Sequence, residues 1–158
     1  MEVGSLPDSE SLRDEVIGYF ETRFGVPPSF FSAFSFEERK GEIWATTAPC
    51  PPDLSTLRPS GLRIMRRMPH AFKPTSLFLR VLNTRITASR IEIGRLDLLR
   101  HLLLGQTSET SLTEGFVALS FRGDLLGCGV VKNGRLRTRI PVQKRKELLD
   151  CLEPSSRP

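Results

Sequence analysis

Residues 9–24 carry the first regular pattern of apolar and polar positions in the chain. The apolar residues stand at helical spacing: Leu12, Val16, Ile17, Phe20 and Phe24. This spacing predicts an amphipathic helix, and Gly25 supplies the stop signal that follows it. The next segment, VPPSFF at 26–31, contains two prolines and predicts a turn or a short helical turn.

Residues 32–48 have the pattern of a β-hairpin. Two strand-like segments, SAFSFEER and EIWATTA, flank the turn residues Lys40 and Gly41. We expect Phe34, Phe36 and Ile43 to form its apolar side, with Trp44 as a further candidate. Proline and polar residues then dominate PCPPDLSTLRPSG at 49–61, which predicts a connector.

Shorter patterns follow from residue 62. The segment LRIMRRMP alternates apolar and basic residues and predicts a short strand. The segment KPTSLFLRVLN fits either a helix capped by Thr75 or a strand, and its apolar spacing favours the helix. Three further elements are predicted: a strand in 89–94, a helix in 95–105 that ends at Gly105, and a polar loop in 106–114.

Residues 115–141 predict three consecutive strands. The first two are separated by a turn at residues 122–124, and the second and third by Asn133-Gly134. Asn-Gly is the strongest short hairpin signal, because a type I′ turn needs positive φ at both central residues. A short basic amphipathic helix in 142–152 and a tail in 153–158 complete the chain.

Charge divides the chain into two unequal parts. Residues 1–57 contain 4 basic and 10 acidic residues, a net −6, whereas residues 58–158 contain 19 basic and 8 acidic residues, a net +11. An asymmetry of this size is typical of a surface for a polyanion. We therefore divide the chain into an acidic N-terminal α+β region (1–57), a basic connector (58–74), a C-terminal domain (75–152) and the tail.

The third strand of the C-terminal domain places its arginines on one side. Arg135, Arg137 and Arg139 point to one face, because side chains alternate along a strand. Like charges on one face repel unless an anion lies across them. Charged edge strands also deter aggregation, but that purpose needs no single sign of charge. We therefore expect the arginines to contact RNA phosphates. The basic surface is extended by Arg122, Lys132, Lys144 and Arg145.

A second basic cluster precedes this domain. It comprises Arg63, Arg66, Arg67, His70 and Lys73. We expect it to join the RNA-binding surface. Gly127 and Gly129 leave one face of their strand bare, and this predicts either close approach of a ligand or sharp curvature of the strand.

Several of these segments, read together, resemble a known family. They are GFVALSFRGDLLGCGVV, the hairpin and basic strand KNGRLRTRIP, RIEIGRLDLLRHLLLG and RIMRRMPHAFKPTSLFLRVL. Residues 62–149 thus resemble the PUA-like module at the C-terminus of Sun-type RNA cytosine-5 methyltransferases and in archaeal stand-alone relatives. The resemblance implies an α+β fold with a PUA-like mixed β-barrel and flanking helices in 75–152. It also implies a role in RNA modification or ribosome maturation.

An enzyme is not expected. Ala48-Pro49-Cys50 is similar to a catalytic motif of Sun-type methyltransferases, but two prolines follow it and no glycine-rich loop for S-adenosylmethionine is visible. The two histidines have no Cys, Asp or His neighbour at metal-binding spacing, so we expect no metal. We expect no cofactor either. No segment has the length and hydropathy of a membrane span or signal peptide, which favours a cytoplasmic location.

The sequence thus predicts a non-catalytic protein that binds structured rRNA or tRNA. A separate RNA-modifying enzyme is a second candidate partner. The alternative is a protein–protein adaptor, such as an accessory subunit of an RNA methyltransferase, whose acidic N-terminal region docks a basic partner.

Overall fold

The computed structural model describes residues 9–47 and 61–152. The predicted connector at 49–61, apart from residue 61, lies outside the described residues, as do Cys50 and the tail. Helix α1 (Ser9–Phe24) and a single 3-10 turn (Pro28–Phe31) lead into strands β1 (Ser35–Arg39) and β2 (Glu42–Thr46). The helix, the turn and the hairpin are all as predicted.

The hairpin turns where its backbone can take positive φ. Lys40 and Gly41 have φ of 52° and 80°, and glycine adopts such values without steric cost. Ile43 and Ala45 are buried on the core face of β2. Trp44 lies on the opposite face and is only half-buried, so its assignment to the apolar side was wrong by one residue of strand alternation.

The first sheet continues beyond the hairpin. Strands β3 (Leu62–Arg67) and β4 (Phe72–Pro74) extend it in the antiparallel order β1-β2-β3-β4. Residues 62–74 therefore form half of a sheet, although the sequence assigned 58–74 to a connector. Strand β4 gave no signal because it has three residues and ends in proline, which is tolerated only at a sheet edge.

The rest of the described chain forms four further helical segments and five strands: α2 (Ser76–Leu82), a second 3-10 turn (Asn83–Arg85), β5 (Arg90–Ile93), α3 (Leu96–Leu103), β6 (Ser108–Glu109), β7 (Gly115–Phe121), β8 (Asp124–Lys132), β9 (Arg135–Thr138) and α4 (Val142–Leu152). These strands form a second, mixed sheet in the order β5-β7-β8-β9-β6, with β5 parallel to β7 and the other pairs antiparallel. The sheet is curled.

Local sequence signals predicted most of the elements in residues 75–152. The Thr75 side chain accepts a hydrogen bond from the Phe78 amide at 3.1 Å, which starts α2 as a helix. Positive φ at Asn133 (54°) and Gly134 (74°) makes the predicted tight turn. Strand β6 lies within the predicted polar loop and was missed, since its two residues are defined only by pairing with β9.

Two apolar cores hold the sheets together. The first contains α1, the first sheet and α2, and it also includes Ala118, Leu125 and Cys128 from one face of β7 and β8. The second lies between the other face of that sheet and helices α3 and α4. The α+β class is thereby confirmed, and the N-terminal region shares a core with the C-terminal domain.

Candidate nucleic-acid interface

The arginine stripe exists as a geometric feature. Arg135, Arg137 and Arg139 are exposed, while the residues between them are buried. Of these, Leu136 belongs to the second core, as does Ile140, which follows Arg139. Packing against α3 and α4 therefore fixes which face of β9 turns inward, and the arginines are left on the outer face.

A groove of about 250 Å³ runs along this stripe. We call it the stripe groove. It is lined by Thr107, Val130, Lys132, Asn133, Arg135, Arg137 and Arg139. Lys132 stands directly opposite Arg135 across β8 and β9, an arrangement that is destabilising for like charges. Arg135 has two neighbours of its own: its Nε donates to Thr107 Oγ1 at 3.0 Å, and Nη1 lies 3.7 Å from Glu109 Oε1.

A second groove of about 220 Å³ lies where the two sheets meet. We call it the junction groove. Its lining comprises Arg63, Arg66, Lys73, Pro74, Thr75, Ser76, Leu77, Arg139 and Pro141. Arg66 faces the like charge of Lys73 across β3 and β4, and on its other side it faces Glu42 across β2 and β3. Arg63 donates to Glu42 Oε1 at 2.7 Å, so a carboxylate offsets its charge.

Arg139 lines both grooves and makes the basic surface continuous. We define the basic face as the seven cations Arg63, Arg66, Lys73, Lys132, Arg135, Arg137 and Arg139. No carboxylate belongs to the described lining of either groove. Five of the seven have no side-chain partner within the described ranges: Arg66, Lys73, Lys132, Arg137 and Arg139. The structure thus brings together seven of the twelve side chains predicted to bind RNA.

Arg67 was predicted to bind RNA, but internal carboxylates occupy its guanidinium. It donates to Glu38 at 2.8 and 3.0 Å and to Glu15 at 3.0 and 3.1 Å, and it lies 5.0 Å from the ring centre of Phe72. These hydrogen bonds raise the pKa of Arg67, and the bond from Arg67 lowers the pKa of Glu15. Arg67 therefore ties α1 to the first sheet and is not available to a ligand.

Arg145 also has a structural role instead of the predicted one. Its Nε donates to the Ile140 carbonyl at 3.0 Å, and its Nη1 donates to the Leu103 carbonyl at 3.3 Å. These contacts fasten α4 to α3 and to the end of β9. Lys144 lies in a different groove, beside Leu77 and Asp124, and pairs with Glu147 at 3.7 Å.

His70 and Arg122 lie apart from the basic face. His70 is exposed in a groove with Glu15 and Tyr19, on the side of the first sheet that faces α1. Arg122 forms the turn between β7 and β8, with its guanidinium 4.9 Å from the ring centre of Phe121. The nine residues of β8 separate this turn from Lys132, a distance of about 30 Å at the usual strand rise.

Protein atoms occupy the space beside the two glycines of β8. A Cβ added at Gly127 would lie 2.7 Å from both Ile140 Cγ1 and Ser76 Oγ. A Cβ at Gly129 would lie 3.1 Å from Leu119. The space beside these glycines is therefore occupied by α2 and the second core, so a ligand cannot reach their bare backbone directly.

Several groove residues gave no functional signal in the sequence. Thr107 supports Arg135 from the loop between α3 and β6, a contact that only tertiary folding creates. Pro74, Leu77 and Pro141 supply apolar wall to the junction groove. The cap signal at Thr75 places the start of α2, and with it the adjacent Ser76, but it says nothing about a groove.

None of the helices within residues 9–47 and 61–152 has the length and hydropathy needed to cross a membrane. The same ranges contain no group of three or more His, Cys, Asp and Glu side chains placed to hold a metal. No curated protein matches the chain. Residues 7–56, which include α1 and the β1–β2 hairpin, match a family model whose description is "Family of unknown function (DUF7122)".

Proposed function

We propose that this protein binds structured RNA through the basic face and does so without catalysing a reaction on it. The observation that carries the proposal is a set of five cations without a described side-chain partner, which line two grooves joined at Arg139: Arg66, Lys73, Lys132, Arg137 and Arg139. Bringing like charges together on one surface costs folding stability in the absence of an anion. A phosphate backbone across the grooves would turn that cost into attraction.

The chemistry of the face favours backbone contacts over reading of bases. Four aromatic residues occur in the basic part: Phe72, Phe78, Phe116 and Phe121. All four belong to or pack against an apolar core, so none forms an exposed platform for a stacked base. We infer recognition of a folded RNA, rRNA or tRNA, by its shape and phosphates.

The family resemblance enters at this point as a proposal. We infer that the curled second sheet with its flanking helices is a PUA-like domain. The mixed strand order and the exposed basic strand β9 support this inference. A PUA-like domain would place the protein in RNA modification or ribosome maturation, either alone or beside a separate modifying enzyme.

Fluorescence polarisation with a tRNA transcript and with rRNA fragments tests the proposal. The variant Arg66→Gln/Arg137→Gln/Arg139→Gln removes three cations without a side-chain partner. The matched control, Arg80→Gln/Arg95→Gln/Arg122→Gln, removes the same charge from exposed positions outside the two grooves. We expect the first variant to lose RNA affinity by about 1,000-fold or more, as three lost charge-assisted contacts of about 1.5 kcal/mol each would give. Equal affinities for the two variants would overturn the proposal.

The salt dependence provides a second measure. If about five phosphates are neutralised, raising salt from 50 to 200 mM should weaken binding by roughly 100- to 500-fold. In a plot of the logarithm of affinity against the logarithm of salt concentration, the slope of the triple variant should be smaller in magnitude by about 2–3, which corresponds to two or three fewer phosphate contacts. An unchanged slope would mean that these arginines do not contact phosphates.

Helix α1 keeps the adaptor function as a second candidate. Glu10, Asp14 and Glu21 are exposed on this helix, whereas Glu15 is bound by Arg67. Three exposed carboxylates on one element suit a basic protein partner. Under this function, Glu10→Gln/Asp14→Asn/Glu21→Gln would abolish capture of an RNA-modifying enzyme and leave RNA affinity unchanged. If a partner is captured equally by this variant, α1 is not its docking surface.

A further inference from the structure

We propose that the junction groove is a pocket for a terminal phosphate monoester, so that the protein distinguishes a phosphorylated RNA end from the internal backbone. This inference rests on the proposed RNA-binding function and adds a specific site to it. The argument uses the charge, the size and the wall chemistry of the groove.

The charge of the groove exceeds what one internal phosphate requires. Arg66, Lys73 and Arg139 line it without a described side-chain partner, and Arg63 contributes a fourth cation that Glu42 partly offsets. An internal phosphodiester carries one negative charge, whereas a phosphate monoester carries about −1.5 to −2 at pH 7 and offers three strong acceptor oxygens. Three unpaired cations therefore match the monoester better than the diester.

The stripe groove provides a contrast within the same surface. Its arginines stand two residues apart, about 6.8 Å along the strand, in an extended row that follows Lys132 to Arg139. The junction groove instead gathers cations from two sheets around a single volume. A row of charges suits a running backbone, and a convergent set suits one highly charged group.

The walls of the junction groove suit the nucleoside attached to such a phosphate. Its volume of about 220 Å³ admits a phosphate and part of the attached nucleoside, and Pro74, Leu77 and Pro141 line it with apolar surface. The Ser76 hydroxyl accepts a hydrogen bond from the Cys128 amide at 2.9 Å, which leaves its proton available to a ligand oxygen. The phosphate would thus meet cations and a hydroxyl, and the adjoining part of the nucleoside would meet an apolar wall.

One RNA hairpin prepared with a 5′-phosphate, with a 3′-phosphate and with hydroxyls at both ends tests the inference by fluorescence polarisation. We expect one phosphorylated form to bind about tenfold tighter than the hydroxyl form, as one added set of charge-assisted hydrogen bonds would give. Arg66→Gln/Lys73→Gln should abolish this preference. Arg135→Gln/Arg137→Gln should weaken all three forms by the same factor and retain the preference.

A small-ligand measurement gives a readout that does not depend on long RNA. Adenosine 5′-monophosphate should raise the melting temperature of the full chain, and adenosine should not. The increase should be lost in Arg66→Gln/Lys73→Gln and kept in Arg122→Gln, a control in the turn between β7 and β8.

The outcomes separate the two proposals. Equal binding of the three RNA forms, or stabilisation by the monophosphate that survives in the pocket variant, would overturn this inference and leave general RNA binding intact. Failure of every RNA form to bind would overturn the proposed function together with the inference.

Discussion

Substituting Gly127 by alanine should destabilise the protein, because the space beside this residue is already occupied. The added methyl group would lie 2.7 Å from Ile140 Cγ1, 2.7 Å from Ser76 Oγ and 2.9 Å from Ser76 Cβ. Carbon atoms in favourable contact stand about 3.5–4.0 Å apart. Both α2 and the segment after β9 would therefore have to retreat by about 1 Å.

Two destabilising effects and one stabilising effect set the expected change in the free energy of unfolding of Gly127→Ala. Inserting a methyl group into packed structure costs about 1–3 kcal/mol. Displacing Ser76 would also leave the Cys128 amide without its acceptor, a further cost of about 1–3 kcal/mol. Replacing glycine stiffens the unfolded chain and returns about 0.4–1 kcal/mol. The expected net loss is about 2–4 kcal/mol, against a total stability of about 5–15 kcal/mol for a typical domain.

Urea denaturation followed by far-ultraviolet circular dichroism measures this loss. For a chain of this length, the melting temperature should also fall by about 5–15 °C. The control is Gly94→Ala, since Gly94 is exposed and an added Cβ there meets no atom within 4 Å; it should change stability by no more than about 0.5 kcal/mol. If Gly127→Ala is as stable as the control, the packing explanation of this glycine is wrong and its face is open.

Two further substitutions and one chemical modification test contacts inside the fold. Arg67→Gln should cost about 1 kcal/mol at neutral pH by urea denaturation, given the partial exposure of its ion pairs. The deficit should shrink as the pH falls below about 4.5, because a carboxyl with a lowered pKa, here Glu15, contributes stability only while it is ionised; a deficit that is constant from pH 7 to pH 3 would refute the link. Arg145→Gln should lower the free energy of unfolding by about 1–3 kcal/mol with no change in RNA affinity, since the carbonyl partners of Arg145 are internal. If this variant were as stable as the unmodified protein but bound RNA more weakly, Arg145 would belong to the RNA-binding surface. The third test uses a variant in which Cys50 is replaced by serine and a thiol reagent at pH 8. The reagent should modify the exposed Cys151 at least about 100-fold faster than Cys128, because burial raises the pKa of the Cys128 thiol to about 12. Similar rates would show that the first core opens readily.

Elements with strong local signals were predictable from the sequence. The tight turns at Lys40-Gly41 and Asn133-Gly134 require positive φ, and the residue types at these positions state that requirement directly. Alternation along β9 likewise gave the correct outer face for its arginines, because one strand face is either buried or exposed throughout.

Interactions between distant segments were not predictable. Glu15 and Arg67 are separated by 52 positions, and no pattern in one sequence identifies which arginines meet carboxylates. The same limit hid β4 and β6, whose two or three residues become strands only because a longer strand pairs with them. The sequence therefore located the basic segments, and the tertiary structure decided which basic side chains share a surface.

The cations of the junction groove come from both sheets: Arg66 and Lys73 lie on β3 and β4 of the first sheet, and Arg139 directly follows β9 of the second. The site exists only while the two sheets are docked through their common core. An anion bound there would hold the two sheets together, and by mass action it would stabilise their docked arrangement by RT ln(1 + c/Kd), where c is the anion concentration.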